Sequence, residues 1–120
     1  MRMTAFDHHL RPILLVLLML TGCGGPPLIK NLPSDIPAAS QLFDQRIRER
    51  FPDGSPATEI VRELGREGFT PRYGDSPPIR VFHLEKSDLF VCDLEWIVSW
   101  ATDARGRSQE ITGTFDATCP

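Results

Sequence analysis

The sequence predicts an α+β domain in which two helices pack on a three-stranded antiparallel meander. Apolar residues recur at helical spacing before residue 69, and they recur at every second position after residue 78. A basic, apolar leader and a glycine- and proline-rich stretch precede these elements. We therefore expect a signal peptide at residues 1–22, a tether at residues 23–33 and one small domain at residues 34–120.

The first 22 residues have the composition of a secretory leader. Arg2 and Arg11 lie in a polar start, and an unbroken apolar run covers residues 13–20. A membrane-spanning helix needs roughly 20 apolar residues, so this run is too short to be one. We expect the segment to be removed from the mature protein.

The motif Leu20-Thr21-Gly22-Cys23 resembles the lipobox of bacterial lipoproteins. The resemblance implies that a signal peptidase recognises Leu20, Thr21 and Gly22 and cuts before Cys23, whose sulfur carries a diacylglyceryl group. This covalent lipid is the one cofactor we expect, and several acyl chains together make a stable membrane anchor. Gly24, in place of the aspartate that retains lipoproteins at the inner membrane of enteric bacteria, favours the outer membrane. The alternatives are an ordinary leader or a short membrane anchor.

The charge of residues 23–120 excludes some classes of partner. Without Arg2, Asp7 and Arg11 of the leader, 11 basic and 15 acidic residues remain, a net charge of −4. Nucleic-acid binding requires a basic patch, and binding to anionic lipid headgroups requires basic clusters. We therefore expect no nucleic-acid partner, and contact with the membrane only through the lipid anchor.

Two cysteines remain in the mature chain, Cys92 and Cys119. An even pair in an oxidising compartment predicts a disulfide. A metal or redox pair is the alternative, but neither cysteine has a neighbour at ligand spacing. The mature chain contains a single histidine, His83, which we expect to be structural.

The first helix is expected to begin after Ser34 or Asp35, with Pro37 in its first turn, and to stop at Pro52. Its buried stripe consists of Leu42, Phe43, Ile47 and Phe51. The second helix is expected to have Ser55 as its N-cap, and a left-handed glycine should end it. Its buried face consists of Ala57, Ile60, Val61 and Leu64, and the terminating glycine is Gly68.

Residues 70–78 are predicted to be a loop, followed by a strand at residues 79–84 and a turn at residues 85–88. The next strand alternates most clearly, and a turn at residues 103–106 leads to the last strand. One face of these two strands carries Cys92, Leu94, Trp96, Val98 and Trp100, with Ile111, Gly113, Phe115, Ala117 and Cys119. Aromatic residues on this face are expected in the core, and an aromatic ligand pocket is the alternative.

The register of the last two strands can be predicted from their faces. Matching the apolar faces sets Trp96 opposite Phe115, Trp100 opposite Ile111 and Cys92 opposite Cys119. A three-residue loop with Gly106 in the left-handed conformation would instead put the faces out of phase by one residue. We also expect Gly113, opposite Val98, to leave room for an indole or a close helix.

The opposite face carries three carboxylates, Asp93, Glu95 and Asp116. They are candidate ligands for a hard cation or an acid–base pair. A tight turn pairing Leu84 with Leu89 would place Arg80 opposite Asp93, and Arg80 would then neutralise the group. We favour neutralisation and predict no catalytic site.

Two stretches resemble the small outer-membrane lipoproteins of the BamE/SmpA type. One runs from Phe51-Pro52-Asp53-Gly54-Ser55 to Gly65, and the other from Trp96-Ile97-Val98-Ser99-Trp100 through Asp103 and Gly106 to Ile111. The resemblance implies a helix–helix–sheet fold and a link to outer-membrane protein assembly. The chain departs from that family at Arg66-Glu67, which follows Gly65 where a Gly-x-Pro motif is expected, and in its cysteine pair.

Together these features predict a non-enzymatic, lipid-anchored periplasmic module that binds another protein of the cell envelope. A periplasmic enzyme inhibitor or immunity-type lipoprotein is the first alternative. A small hydrolase or metal binder that uses the three carboxylates is the second.

Overall fold

The computed structural model describes residues 27–87 and 92–120. Within these residues two helices, α1 (Ile36–Arg50) and α2 (Ala57–Arg66), precede four strands, β1 (Thr70–Pro71), β2 (Ile79–Ser87), β3 (Asp93–Thr102) and β4 (Ser108–Thr118). The strands form one antiparallel sheet in the order β1-β2-β3-β4. The α+β class is confirmed, and the described part of the chain contains four strands instead of the predicted three. The predicted signal peptide and Cys23 lie outside the described residues.

Helix α1 begins and ends as predicted. Asp35 is its N-cap, and the carboxylate accepts a hydrogen bond of 3.0 Å from the backbone N–H of Ala38. Pro37 lies in the first turn, where a missing N–H has no cost. Within the described residues, no helix is long and apolar enough to cross a membrane.

Helix α2 differs from the prediction at its start. Its N-cap is Pro56, because the hydroxyl of Ser55 donates to the carbonyl of Pro52 at 2.6 Å instead of capping the helix. The end of the helix is as predicted. Gly68 has φ +94°, and the N–H of Phe69 donates to the carbonyl of Leu64 at 3.0 Å.

The strand β1 was predicted as part of a loop. Thr70 and Pro71 pair with His83 and Phe82 of β2. Proline is tolerated there because β1 is an edge strand, so its missing N–H breaks no bond of the ladder. The prolines at residues 70–78 are typical of a loop, so the sequence did not indicate this short strand.

The predicted turn between β2 and β3 is wrong. The strand β2 continues to Ser87, and Leu84 pairs with Trp96 rather than with Leu89. Arg80 consequently lies opposite Trp100, and not opposite Asp93. This register places the apolar inner residues of β2 beside those of β3, so apolar pairing outweighed the shortest possible turn.

Both registers considered for β3 and β4 occur in the structure. The predicted register is found from Asp93 to Ser99 of β3, with Trp96 opposite Phe115. Near the turn the pairing is displaced by one residue, with Thr102 opposite Ser108, and Gly106 has φ +74°. A β-bulge between these regions restores the phase of the apolar faces, and Glu110 has φ +53° there.

The core lies between the helices and the inner face of the sheet. The inner face presents Trp96, Val98 and Trp100, which are all buried. Gly113 is the point of closest approach, because a Cβ atom built on it would lie 3.0 Å from side-chain atoms of Phe43 and Ile47. The expected close helix is therefore α1.

The domain includes residues that we expected to belong to the tether. Leu28 is 1% exposed, and its N–H donates to Glu67 at 2.9 Å. Arg46 donates to the carbonyl oxygens of Leu28 and Lys30 at 3.1 and 2.6 Å. The domain therefore begins before residue 34, and the side chains of Arg46 and Glu67 hold residues 28–30 against it.

Side chains cover the free edge of β4. The N–H of Gly113 donates to Asp44 at 2.8 Å, and the N–H of Phe115 donates to the hydroxyl of Ser40 at 3.1 Å. The N–H of Glu110 donates to Asp53 at 3.1 Å. These bonds occupy donors that would otherwise pair with a strand of another molecule.

Replacing Ser40 by alanine is expected to lower the free energy of unfolding by about 1 kcal/mol, because the N–H of Phe115 loses its acceptor. Urea denaturation of the mature domain measures the difference. Gln41→Ala, at the adjacent exposed position, is the control and should change stability by less than about 0.5 kcal/mol. Equal stabilities of the two variants would contradict the role of Ser40.

Candidate functional site

The outer face of the sheet is the surface turned away from both helices. Its described residues alternate with the core residues along β2, β3 and β4, and none of them is buried. They are Val81, His83, Glu85, Asp93, Glu95, Ile97, Ser99, Thr112, Thr114 and Asp116. We call this set the outer face.

An ion-pair network lies at the centre of the outer face. Arg72, which follows β1, donates to both carboxylate oxygens of Glu95, at 3.0 and 3.3 Å. Nδ1 of His83 lies 2.7 Å from Oε2 of Glu95, the oxygen that Arg72 contacts at 3.0 Å, and 3.5 Å from Oε1 of Glu85. Glu95 therefore contacts a guanidinium and an imidazole at once.

The pKa of Glu95 is held below its ordinary value. The main cause is the hydrogen bond from Arg72, and the hydrogen bond with His83 acts in the same direction. Burial opposes both effects, because it disfavours the charged form. The carboxylate is therefore stabilised as an anion by its neighbours.

The predicted carboxylate cluster is only partly assembled. Glu95 lies opposite Asp116, as expected. The potential metal-ligand atoms that come within 4.8 Å of one another, however, belong to His83, Glu85 and Glu95. The sequence did not indicate this group, because the pairing of Glu85 with Glu95 depends on the β2–β3 register.

The predicted source of neutralisation was also wrong. Arg80 pairs with Asp75 at 2.8 Å, and its guanidinium lies over the rings of Phe82 and Trp100. Arg72 provides the positive charge beside Glu95 instead. Its position depends on β1, so no feature of the sequence spacing indicated it.

A histidine and two glutamates are suitable ligands for a divalent transition metal. In this network Arg72 occupies the oxygens of Glu95 that a metal ion would need. We expect Arg72→Ala to raise the affinity for Zn²⁺ severalfold, because a solvent-exposed ion pair then no longer competes for the carboxylate of Glu95. Calorimetry measures the change. Arg80→Ala, which removes a different ion pair, is the control, and equal affinities in both variants would contradict the competition.

The network also predicts a pH dependence of stability. Folding lowers the pKa of Glu95, so the ionised carboxylate contributes to the free energy of unfolding. This contribution is complete above the unfolded-state pKa of about 4.3, and it is lost as pH falls through the lower pKa of the folded state. Glu95→Gln should be less stable than the unmodified protein at pH 7, and the difference should vanish at low pH. Urea denaturation across this range measures it, with Glu59→Gln on α2 as the control. A difference that is independent of pH would contradict the prediction.

Large apolar side chains are exposed where the chain enters β2. Tyr73 is fully exposed, and Ile79 is 51% exposed. Val81 and Ile97 of the outer face are half-buried. Exposed aromatic and aliphatic groups beside ordered charges are typical of protein–protein interfaces.

Cys92 and Cys119 form a disulfide, as predicted, and their Cα atoms are 4.2 Å apart. The bond joins the start of β3 to the residue that follows β4. It lies at the end of the sheet opposite the 103–107 turn. Both cysteines are therefore used for structure.

No protein-family model matches the chain, and neither a curated protein nor a solved structure matches it. The resemblance to the lipobox and to the BamE/SmpA type of lipoprotein therefore remains a prediction from the sequence.

Proposed function

We propose that this protein is a lipid-anchored module of the bacterial cell envelope, on the periplasmic side of the outer membrane, that binds another envelope protein through its outer face. The observation that carries the proposal is that, among the residues that the structure describes, neither helix covers this face, although it contains half-buried Val81 and Ile97. The ion pair between Arg72 and Glu95 and the hydrogen bond between His83 and Glu95 hold these polar groups in place beside them. An interface arranged before binding loses less side-chain entropy when the complex forms.

Site-specific photo-crosslinking in intact envelopes tests the proposal. A photoreactive amino acid at Ile97 should yield one adduct of defined mass, and the same amino acid at Arg62, on the exposed side of α2, should yield none. Adding Glu95→Arg should reduce the Ile97 adduct about tenfold, because it places a cation beside Arg72. No adduct from Ile97, or equal adducts from both positions, would overturn the proposal.

The identity of the captured protein separates the proposal from its first alternative. A component of the envelope assembly machinery would support a role in outer-membrane assembly or integrity. A periplasmic hydrolase or toxin whose activity falls on binding would instead favour an inhibitor or immunity-type lipoprotein. Both outcomes assign the outer face a partner protein.

A further inference from the structure

An apolar groove with a volume of about 510 Å³ opens at the disulfide end of the inner sheet face. It lies between the first described segment of the chain and the ends of β3 and β4. Its main lining side chains are Ile29, Leu32, Ile36, Leu94, Trp96 and Phe115. The described residues that line it include no ionisable side chain other than the disulfide-bonded cysteines.

The groove exists because the helices cover only part of the inner face. Trp96 is 6% exposed and Val98 is fully buried under the helices. Nearer the disulfide, Leu94 and Ala117 are only half-buried although they point to the same side of the sheet. Ile36, at the start of α1, is 40% exposed at the rim.

The chain enters the domain beside this groove. Leu28 is fixed in the core, and the next residue, Ile29, already lines the groove. Cys23 precedes Leu28 by five residues, which span at most about 18 Å when fully extended. A lipid attached to Cys23 therefore starts within reach of the groove.

We propose that one acyl chain of the lipid on Cys23 lies in this groove and holds this end of the domain at the membrane surface. The inference rests on the lipid anchor put forward under Proposed function. A bilayer and an apolar groove both remove each CH₂ group from water, a gain of about 0.8 kcal/mol per group, so transfer of the chain from one to the other has a small cost. A short connection gives an attached ligand an effective concentration in the millimolar range.

The chemistry of the groove favours an attached chain over a free lipid. A free fatty acid would bring a carboxylate and a phospholipid would bring a phosphate, and the lining residues within 27–87 and 92–120 offer no cation to either. An acyl chain on Cys23 has its polar end at the protein backbone, outside the groove. Only the hydrocarbon then has to enter.

Photolabelling of the lipidated protein tests the inference. Cells are fed a fatty acid that carries a diazirine, and the purified full-length mature protein is placed in phosphatidylethanolamine–phosphatidylglycerol vesicles and irradiated. We expect labelled peptides that contain residues 29–36 or 94–96. Ala117→Trp, which fills the groove, should reduce this labelling about tenfold, whereas Thr114→Trp on the outer face of the same strand should not.

The outcomes distinguish the groove from the anchor. An intact mass without lipid on Cys23 would overturn both proposals. The second outcome is that Cys23 carries lipid but the label is found only on vesicle lipids, on other surfaces or on a second copy of the chain. This outcome would overturn the proposal that an acyl chain lies in the groove, and it would leave the lipid anchor in place. Circular dichroism checks that Ala117→Trp is folded. Ile36→Asp, which charges the exposed rim, is the second variant and should also reduce labelling.

Discussion

Replacing both Cys92 and Cys119 by alanine is expected to lower the free energy of unfolding by about 3–4 kcal/mol. The bond closes a loop between residues 27 apart in the sequence, and the chain-entropy model gives about this value for a loop of that length. The protein is a small domain, for which a total stability of about 5–10 kcal/mol is typical. Loss of the disulfide would therefore remove a large part of the total.

Urea denaturation of the mature domain measures this effect. Reduction of the unmodified protein should produce the same loss as the double variant, since both release the same loop. Thr114→Ala, on the exposed side of β4, is the control and should change stability by less than about 0.5 kcal/mol. A double variant as stable as the oxidised protein would show that strand pairing alone holds this end of the sheet.

Gly113→Ala is expected to destabilise the domain by about 1–3 kcal/mol. The added Cβ atom would lie 3.0 Å from side chains of Phe43 and Ile47, which are both fully buried. Closely packed interiors respond to one extra methyl group by shifts of side chains and backbone. The expected shift separates α1 from β4, so the bonds from Asp44 and Ser40 to the edge of β4 should weaken too.

The same substitution at Gly65 is a matched control with the opposite sign. Gly65 lies on the exposed side of α2, and a Cβ atom there meets no atom within 4 Å. Alanine is a better helix former than glycine by about 1 kcal/mol, so Gly65→Ala should stabilise the domain. Thermal unfolding of the two variants measures the contrast. If both were stabilising, the approach of α1 to Gly113 would not be close.

The helices and the last hairpin could be predicted because their signals are local. Asp35, Pro52 and Gly68 act through the backbone within a few residues, so their positions mark where helices begin or end. The alternation from Cys92 to Trp100 likewise assigns each side chain to a face of the strand. The register of β3 and β4 followed from matching these faces, and the disulfide agrees with it.

The β-bulge between β3 and β4 allows two different registers to occur in one hairpin. The glycine turn at residues 103–107 favours one register, and the apolar faces favour another. The hairpin adopts the first register near the turn and the second from Ser99 to Asp93. The left-handed conformation of Glu110 marks the place where the phase changes, and no residue type at that position indicates it.

The sequence by itself determined the two helices and the inner face of the hairpin, because each depends on neighbouring residues or on a period. The cysteine pair followed from the even number of cysteines that remain after Cys23. Only the tertiary structure decided the β2–β3 register, the short strand β1 and the docking of Leu28. These contacts join residues far apart in the chain, so packing and not spacing selects them. The network of Arg72, His83 and Glu95 has the same origin, because strand pairing alone brings its three members together.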